Sequence, residues 1–187
     1  MKIVVAAVFL LAFAVKGLAQ VTDARFTPSD DYAIDEAFFK LPAGRSIGAT
    51  SGLGIHPDGP VFWVFDCCGA ADCRGSSLDP IMKFDRNGNY LLSFGANLFQ
   101  RPHGLFVDNE GNVWVTDDVG SRDIDTVSEG KGHQVFKFNP EGELLMTLGQ
   151  PGVPGDGPDT FNMPSAVLVA PNGDIFVADG HDSGGNN

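Results

Sequence analysis

The residue with the clearest potential for chemistry is His103, which stands between a proline and a glycine in the stretch RPHGLFVDNEGNVWVTDD, residues 101–118. A neutral imidazole at the start of a strand is a suitable ligand for zinc. A catalytic zinc ion normally takes three protein ligands, so one histidine does not define a site. The alternative interpretation is a histidine that is hydrogen-bonded within a loop. The other residues of the chain are needed to choose between a zinc ligand and a loop histidine.

The three cysteines all lie in one short segment, DCCGAADCRG, residues 66–75. Cys67 and Cys68 are adjacent, and such neighbours rarely pair because the bond would strain the backbone. A disulfide between Cys68 and Cys73 would close a short local loop and leave Cys67 as a thiol. The spacing also resembles a metal clip, but a fourth ligand is missing, so the disulfide is the favoured prediction.

The segments around His103 recur along the chain. PIMKFDRNGNYLLSFG (80–95) matches QVFKFNPEGELLMTLG (134–149) nearly position for position. A second unit occurs in three versions, SGLGIHPDGPVFWVFD (51–66), HGLFVDNEGNVWVTD (103–117) and SAVLVAPNGDIFVAD (165–179). In each version a turn with glycine joins two β-rich runs, and an aspartate ends the second run. Ser51 and Ser165 occupy the position of His103 in their own repeats, so the histidine is not a general feature of the repeat.

Short alternating strands with turns at fixed offsets predict an all-β array. A period of roughly 50 to 60 residues with four strands in each unit is typical of propeller blades. We therefore predict a β-propeller in residues 47–187, here an incomplete ring of about three blades, preceded by an N-terminal lead-in at 20–46. Propellers usually close with about four to eight blades, so the expectation is an incomplete gene product, with completion by a second copy as the alternative.

The N-terminal residues predict the location of the protein, and its charge predicts which partners it does not bind. Residues 1–19 combine a basic start, an apolar run and small residues, which predicts a signal peptide and a secreted or periplasmic protein. The formal net charge of -12 argues against nucleic acid, and after cleavage against a membrane, as partners. The acidic residues Asp123, Asp125 and Glu129 are interpreted as part of an exposed loop rather than a calcium site.

With the repeat and His103 taken together, the chain resembles the peptidyl-α-hydroxyglycine α-amidating lyases and their bacterial relatives, which are six-bladed NHL-type propellers. The resemblance runs from about Gly52 to Gly180 and is carried by RPHGLFVDNEGNVWVTD, HQVFKFNPEGELLMTLGQPGVPGD and FNMPSAVLVAPNGDIFVADG. It implies an enzyme that cleaves a peptidyl-α-hydroxyglycine into a peptide amide and glyoxylate. It also implies a zinc ion held by three histidines of different blades in the central channel, with a structural calcium ion nearby.

The resemblance implies a role for five positions of this sequence. His103, in PHG, falls on the position of the first zinc ligand, and the backbone carbonyls of Thr50 and Leu105 fall where the family binds calcium. Cys67 falls on the position of the catalytic arginine, where a thiol cannot supply a positive charge. His181 falls on the position of a catalytic tyrosine, where an imidazole can act as a base at neutral pH. Both metal sites are expected to be incomplete within this chain.

Two functions follow from these assignments, and a third possibility is another hydrolytic propeller chemistry such as a lactonase, which an acidic metal cage rather than histidines would indicate. One is a zinc-dependent lyase that acts on a small peptide-derived substrate, with His103 as ligand and His181 as base. The other is a secreted, non-catalytic NHL propeller that binds a ligand or a protein partner, which the missing arginine favours unless Arg74 replaces it. The repeat places none of His56, His133 and His181 beside His103. The sequence therefore predicts weak zinc binding and no release of glyoxylate by this chain alone.

Overall fold

The structure is a computed structural model that describes residues 33–118 and 130–181. The predicted signal peptide and the acidic residues Asp123, Asp125 and Glu129 lie outside the described residues. All of the described strands fall within the compact unit Glu36–Asn187. Among the described residues, no helix has the length and the apolar character needed to cross a bilayer.

The described secondary structure is all-β, as predicted, and consists of antiparallel sheets. The strands are β1 Thr50–Ile55, β2 Phe62–Asp66, β3 Ile81–Phe84, β4 Tyr90–Phe94, β5 Pro102–Val107, β6 Val113–Asp117, β7 Gln134–Phe138, β8 Leu144–Leu148, β9 Ala166–Val169 and β10 Ile175–Ala178. The first sheet has the order β1-β2-β3-β4, the second has the order β5-β6-β7-β8, and β9 pairs with β10. These are two four-stranded meanders of the propeller-blade type and one further hairpin, and they do not close into a ring. The predicted repeat of strand pairs is confirmed.

Hairpin turns are fixed by side chains that accept backbone hydrogen bonds. In the β5–β6 turn, Asp108 Oδ1 accepts the backbone N–H groups of Glu110 at 3.0 Å and Asn112 at 2.9 Å. Gly111 has a φ of 83°, a conformation that glycine adopts without strain. The same arrangement recurs at Asp85 and Asn139. The polar turn residues therefore set the register of the strands on either side.

The main core lies between the first and the second sheet. Phe99 packs edge-on against Phe65 of the first sheet and Phe136 of the second, with ring centroids 5.1 Å apart in both pairs. Burying an aromatic or aliphatic side chain of this size contributes about 1.5–3 kcal/mol. A second cluster, which includes Trp114 and Val167, joins the second sheet to the β9–β10 hairpin. This stacking brings the starts of β5 and β9 close to each other.

The described part of the predicted lead-in, residues 33–46, packs on the opposite face of the first sheet. Phe39 and Leu41 contact a buried cluster centred on Met82. Arg45 adds a buried ion pair, because its Nη2 lies 2.9 Å from Asp66 Oδ2 and the two side chains are 8% and 0% exposed. From Glu36 onwards the lead-in therefore belongs to the same compact unit as the sheets.

Candidate metal centre

His103 lies at an irregularity of the second sheet. The register between β5 and β6 shifts between Pro102 and Leu105, and a register shift at the equivalent place of β1 contains Ser51. Such irregularities re-aim a side chain and are common near functional sites. The serine in the repeat uses its hydroxyl within its own hairpin: Ser51 Oγ donates to Phe65 O at 3.3 Å. His103 instead reaches across to the next hairpin.

The imidazole of His103 is oriented by a backbone carbonyl. Its Nδ1 lies 2.8 Å from the carbonyl oxygen of Ser165. Because a carbonyl oxygen can only accept, Nδ1 carries the hydrogen, and in the neutral ring Nε2 carries the free lone pair. Histidines that bind metals commonly donate their second N–H in this way. His103 therefore presents Nε2 in the tautomer that a metal ion needs.

Gly104 allows the contact between His103 and the carbonyl of Ser165 to form. A β-carbon at position 104 would lie 2.6 Å from the carbonyl oxygen of Ser165 and 3.0 Å from Oγ1 of Thr116. The backbone N–H of Gly104 donates to the same Thr116 Oγ1 at 2.7 Å. The glycine after His103 thus lets β9 approach β5 closely enough for Ser165 to hold the imidazole.

Two further metal-ligating groups lie next to His103. Oδ2 of Asp118, whose side chain is fully buried, is 3.7 Å from His103 Nε2. The ring of His181 lies 4.3 Å from the ring of His103, measured between centroids. One ligand atom from each of the three residues falls within 4.8 Å of the other two. Two imidazoles and a carboxylate are a donor set suitable for zinc. The expectation that no other histidine joins His103 is therefore wrong for His181.

Asp118 is positioned by Arg101. Its backbone N–H donates to the carbonyl oxygen of Arg101 at 3.0 Å, and its Oδ1 lies 3.0 Å from Arg101 Nε. The neighbouring Asp117 accepts the backbone N–H groups of Gln100 and Arg101 instead. Complete burial raises the pKa of Asp117 to about 7, although these hydrogen bonds act in the opposite direction. The two adjacent carboxylates thus have different partners.

His181 is held beside His103 by the backbone that follows β10. The N–H of His181 donates to Met163 O at 3.3 Å, and the N–H of Gly180 donates to Asn162 O at 2.8 Å. The carboxylate of Asp179, at the end of β10, accepts the N–H of Asn162. The segment after β10 is thereby tied to the segment that precedes β9.

Cys67, predicted at the position of the catalytic arginine, is a buried thiol at the edge of this site. Its Sγ donates to the carbonyl oxygen of Pro102 at 3.8 Å, next to His103. Burial, together with the charge of Asp66, raises the pKa of the thiol to about 11, so it stays neutral. The structure contains the disulfide between Cys68 and Cys73.

A positive charge is nevertheless present at the site. Nε of Arg74, the candidate replacement for the missing arginine, lies 3.8 Å from Oδ2 of Asp72 in its own loop. A guanidinium that contacts one of the three grouped residues belongs to Arg101, through its ion pair with Asp118. Its charge also acts on Cys67, whose pKa it lowers against the larger effect of burial.

The remaining predicted residues lie on neighbouring strands or in turns. A β-carbon on Gly52 of β1 would fall 2.5 Å from Cβ of Leu105, so the strands that carry Thr50 and Leu105 approach closely. Calcium binding by the two carbonyls stays a prediction. His56 accepts the backbone N–H of Asp58 at 3.2 Å within the β1–β2 turn, and it does not join the metal centre.

Asp118 and Arg101 are the site residues that sequence reasoning missed. A signal for Asp118 is visible when the three hairpins are aligned. The aspartate that ends each hairpin is followed by Cys67, Asp118 and Gly180 in turn. A carboxylate at this variable position, beside a constant aspartate, distinguishes the second hairpin from the other two.

Comparisons with known proteins identify relatives of the chain, although no family model matches it. It is 47% identical over 151 residues to a probable peptidyl-α-hydroxyglycine α-amidating lyase of Caenorhabditis elegans, a match that covers 73% of this chain and 40% of the relative. It is 35% identical over 173 residues to the peptidylglycine α-amidating monooxygenase of Rattus norvegicus, covering 82% of this chain and 16% of the relative.

Two other similarities extend this comparison. NHL repeat-containing protein 3 of Mus musculus is 35% identical over 119 residues, covering 61% of this chain and 31% of the relative. A solved virginiamycin B lyase from Staphylococcus aureus has a TM-score of 0.48 at 15% identity, covering 75% of this chain and 37% of that chain. The chain spans two fifths or less of the length of each of these proteins.

Proposed function

We propose that this chain, a homologue of the peptidyl-α-hydroxyglycine α-amidating lyases, carries the metal site of such a lyase. The reaction converts a peptidyl-α-hydroxyglycine into a peptide amide and glyoxylate. The observation that supports the proposal most directly is the environment of His103. Its Nδ1 is bound by Ser165 and its Nε2 faces Asp118, at the position where the resemblance implies a zinc ligand.

Zinc suits the donor atoms at this position. His103 and the groups beside it supply the nitrogen and oxygen ligands that zinc takes in catalytic sites, and a carbonyl fixes the tautomer of His103. When bound, zinc supplies a Lewis acid that draws electron density from the hydroxyl oxygen of the substrate. His103 would hold the ion, whereas the buried thiol of Cys67 donates to the carbonyl oxygen of Pro102 and is not one of the three grouped donors.

The reaction needs a base next to His103. The hydroxyl oxygen loses its proton and forms the carbonyl of glyoxylate, while the bond between Cα and nitrogen breaks. The electron pair of that bond stays on the nitrogen, which takes up a proton to give the amide. His181 is exposed and lies beside His103, so its imidazole can accept the first proton and return it to the nitrogen.

Arg101 supplies the positive charge that Cys67 cannot. The substrate carries a carboxylate at its glycine end, and a guanidinium binds carboxylates with charge-assisted hydrogen bonds. The side chain of Arg101 is 29% exposed and its Nε is 3.0 Å from Asp118. We propose that its charge attracts the substrate carboxylate and stabilises the negative charge that develops on the hydroxyl oxygen.

The other predicted properties complete the proposal. We propose that a calcium ion binds the carbonyls of Thr50 and Leu105, which is supported by the close approach of β1 and β5. We also propose that the protein is secreted or periplasmic, which is supported by the signal-peptide pattern of residues 1–19.

Glyoxylate release by the zinc-loaded chain tests the function. The earlier expectation of no release relied on a single ligand, and the three grouped donors remove that reason. We expect metal-dependent release from a synthetic peptidyl-α-hydroxyglycine, lowered by ~10²-fold or more in His103→Ala. His56→Ala is the matched control and should retain the rate, because His56 lies in a turn. A folded, zinc-loaded chain that releases no glyoxylate contradicts the proposal.

A non-catalytic binding protein is the second candidate function. It is favoured by the neutral thiol of Cys67 at the position where the resemblance implies a catalytic arginine. A chain that binds a peptidyl-α-hydroxyglycine but leaves it intact, with zinc bound, would support this candidate over the lyase.

A further inference from the structure

We propose that Asp118 and His181 bind the same metal ion as His103, so that this chain holds a three-ligand zinc site of its own. The inference specifies the metal site on which the proposed lyase function rests. The binding of the metal can be measured whether or not the chain turns over a substrate. The site differs from the three-histidine set that the resemblance implies, because one ligand is a carboxylate and another stands at the tyrosine position.

The distances between the three groups support a common ion. Zinc ligands lie about 2.0–2.2 Å from the ion, so two ligand atoms of a tetrahedral site are roughly 3.3–3.6 Å apart. The distance from His103 Nε2 to Asp118 Oδ2 is 3.7 Å, and all three ligand atoms lie within 4.8 Å of one another. Small side-chain rotations are therefore sufficient to bring the three atoms to a shared ion.

Two of the proposed ligands are already oriented by outer partners. The Ser165 carbonyl holds Nδ1 of His103 and so directs Nε2 towards Asp118. Arg101 binds Oδ1 of Asp118, which leaves Oδ2 as the oxygen that faces His103. Outer partners of this kind fix the direction of metal ligands and raise metal affinity. Two of the three proposed ligands are thus oriented without a bound ion.

The internal repeat provides an independent argument. His103 replaces the serine found at positions 51 and 165, and Asp118 replaces the cysteine and glycine found at positions 67 and 180. His103 departs from a position that is otherwise serine, whereas the position of Asp118 differs in all three hairpins. The two residues stand at opposite ends of one hairpin in the sequence, and their Nε2 and Oδ2 atoms lie 3.7 Å apart in the structure. A histidine that departs from the repeat and faces a carboxylate that the other two hairpins lack at this position indicates a shared function rather than a requirement of the fold.

The third ligand is compatible with the base proposed above. His181 is exposed, whereas the side chain of Asp118 is fully buried. With an ion bound, His181 would therefore be the ligand open to solvent and Asp118 the shielded one. While it is not bound to the ion, the imidazole of His181 would be free to act as the base.

Zinc titration of the metal-free chain tests the assignment. A chromogenic chelator competes for the ion, and the visible spectrum of bound Co²⁺ reports its ligands. We expect one equivalent of zinc, with affinity lowered at least ~10-fold by Asp118→Asn and by His181→Ala. His56→Ala and Asp174→Asn are matched controls at turn positions and should bind as the parent chain does. Circular dichroism checks that each variant is folded.

The outcomes separate this inference from the proposed function. Unchanged zinc affinity and an unchanged Co²⁺ spectrum in His181→Ala overturn it, and so does the absence of stoichiometric zinc binding. If Asp118→Asn fails to fold, the exposed His181 alone decides the outcome. Tight zinc binding that both variants weaken, without glyoxylate release, would contradict the lyase and leave the metal site standing.

Discussion

At the scale of single residues, the position after each strand-end aspartate determines what the hairpin can do. The constant aspartate is structural, since Asp117 accepts backbone N–H groups at the base of its hairpin and Asp179 does the same. In the first two hairpins, the residue after this aspartate donates its backbone N–H to the carbonyl oxygen of the residue just before β1 or β5. Asp118 faces His103, and Cys67 lies against the strand that carries His103. The strand-end aspartate is therefore constant because it supports the fold, whereas the residue after it varies in its chemistry.

The reactivity of Cys67 is the first prediction at this scale. Its thiol is buried and its pKa is raised to about 11, so at pH 8 only about a thousandth of it is thiolate. We expect negligible alkylation of the native chain. After denaturation without reductant, one thiol should react, and peptide mapping should identify it as Cys67. With reductant, Cys68 and Cys73 should react as well.

Other labelling patterns would contradict this prediction. Rapid modification of Cys67 in the folded chain would show that the thiol is accessible. Three reactive thiols before reduction would show that Cys68 and Cys73 are not paired.

Sequence reasoning reached part of this site and missed the rest for a physical reason. His103 was predictable because it interrupts a repeat in which serine is otherwise found. Asp118 was harder to assign, because the residue after the constant aspartate differs in all three hairpins and the alignment alone does not say what it contacts. Its contact with His103 depends on the antiparallel return of β6, and that of His181 depends on packing between hairpins. Only three-dimensional contacts reveal the group.

At the scale of elements, local sequence patterns predict the strands, but they do not predict how closely strands of different hairpins approach each other. Alternating residues and turns such as DNEGN were sufficient to predict the hairpins, since Asp108 and Gly111 fix the turn locally. The contact between β5 and β9 has no such signature. It depends on a missing β-carbon at Gly104, which allows the carbonyl of Ser165 to reach His103.

Gly104→Ala is the prediction for this contact. The new β-carbon would meet backbone oxygen at 2.6 Å, so β9 has to move away from β5. We expect a loss of about 1–3 kcal/mol in the free energy of unfolding, as for other overpacked sites. Zinc affinity should fall as well, because the Ser165 carbonyl no longer orients His103. Denaturant titration and zinc competition measure the two effects.

Gly157→Ala is the matched control for this substitution. Gly157 also lacks a positive φ, and its added β-carbon would meet the side chains of Thr160 at 3.2 Å and Asp159 at 3.9 Å but no backbone atom within 4 Å. We expect a change within about 0.5 kcal/mol and no change in zinc affinity. Equal effects of the two substitutions would mean that the approach of β9 to β5 is not tightly constrained.

At the scale of the described unit, the two interfaces between sheets differ in size. The first and second sheets share a cluster of ten buried residues, whereas three buried residues join the second sheet to the β9–β10 hairpin. The hairpin also leaves Phe176 57% exposed. The proposed metal site crosses this smaller interface, with His103 on one side and His181 on the other. Zinc binding should therefore stabilise the hairpin more than the rest of the unit.

His133 provides a further link across the same interface. Its Nδ1 accepts the backbone N–H of Met163 at 3.1 Å, a bond that requires Nδ1 to be unprotonated. Burial lowers the pKa of His133 below 6.5, although Asp179 acts in the opposite direction. Between the folded pKa and 6.5, the unfolded chain therefore binds more protons than the folded one. This contribution to stability is complete above pH 6.5 and is lost as the pH falls below that value.

The pH dependence of unfolding in the metal-free chain tests this link. Each unit by which the pKa is lowered corresponds to about 1.4 kcal/mol of stability that disappears on acidification. His133→Gln should remove this part of the pH dependence, because an amide oxygen can accept the Met163 N–H but does not titrate. We therefore expect the free energy of unfolding to fall more between pH 7.5 and 5.5 in the parent chain than in the variant. Parallel curves for the two proteins would show that His133 does not couple protonation to the packing of the hairpin.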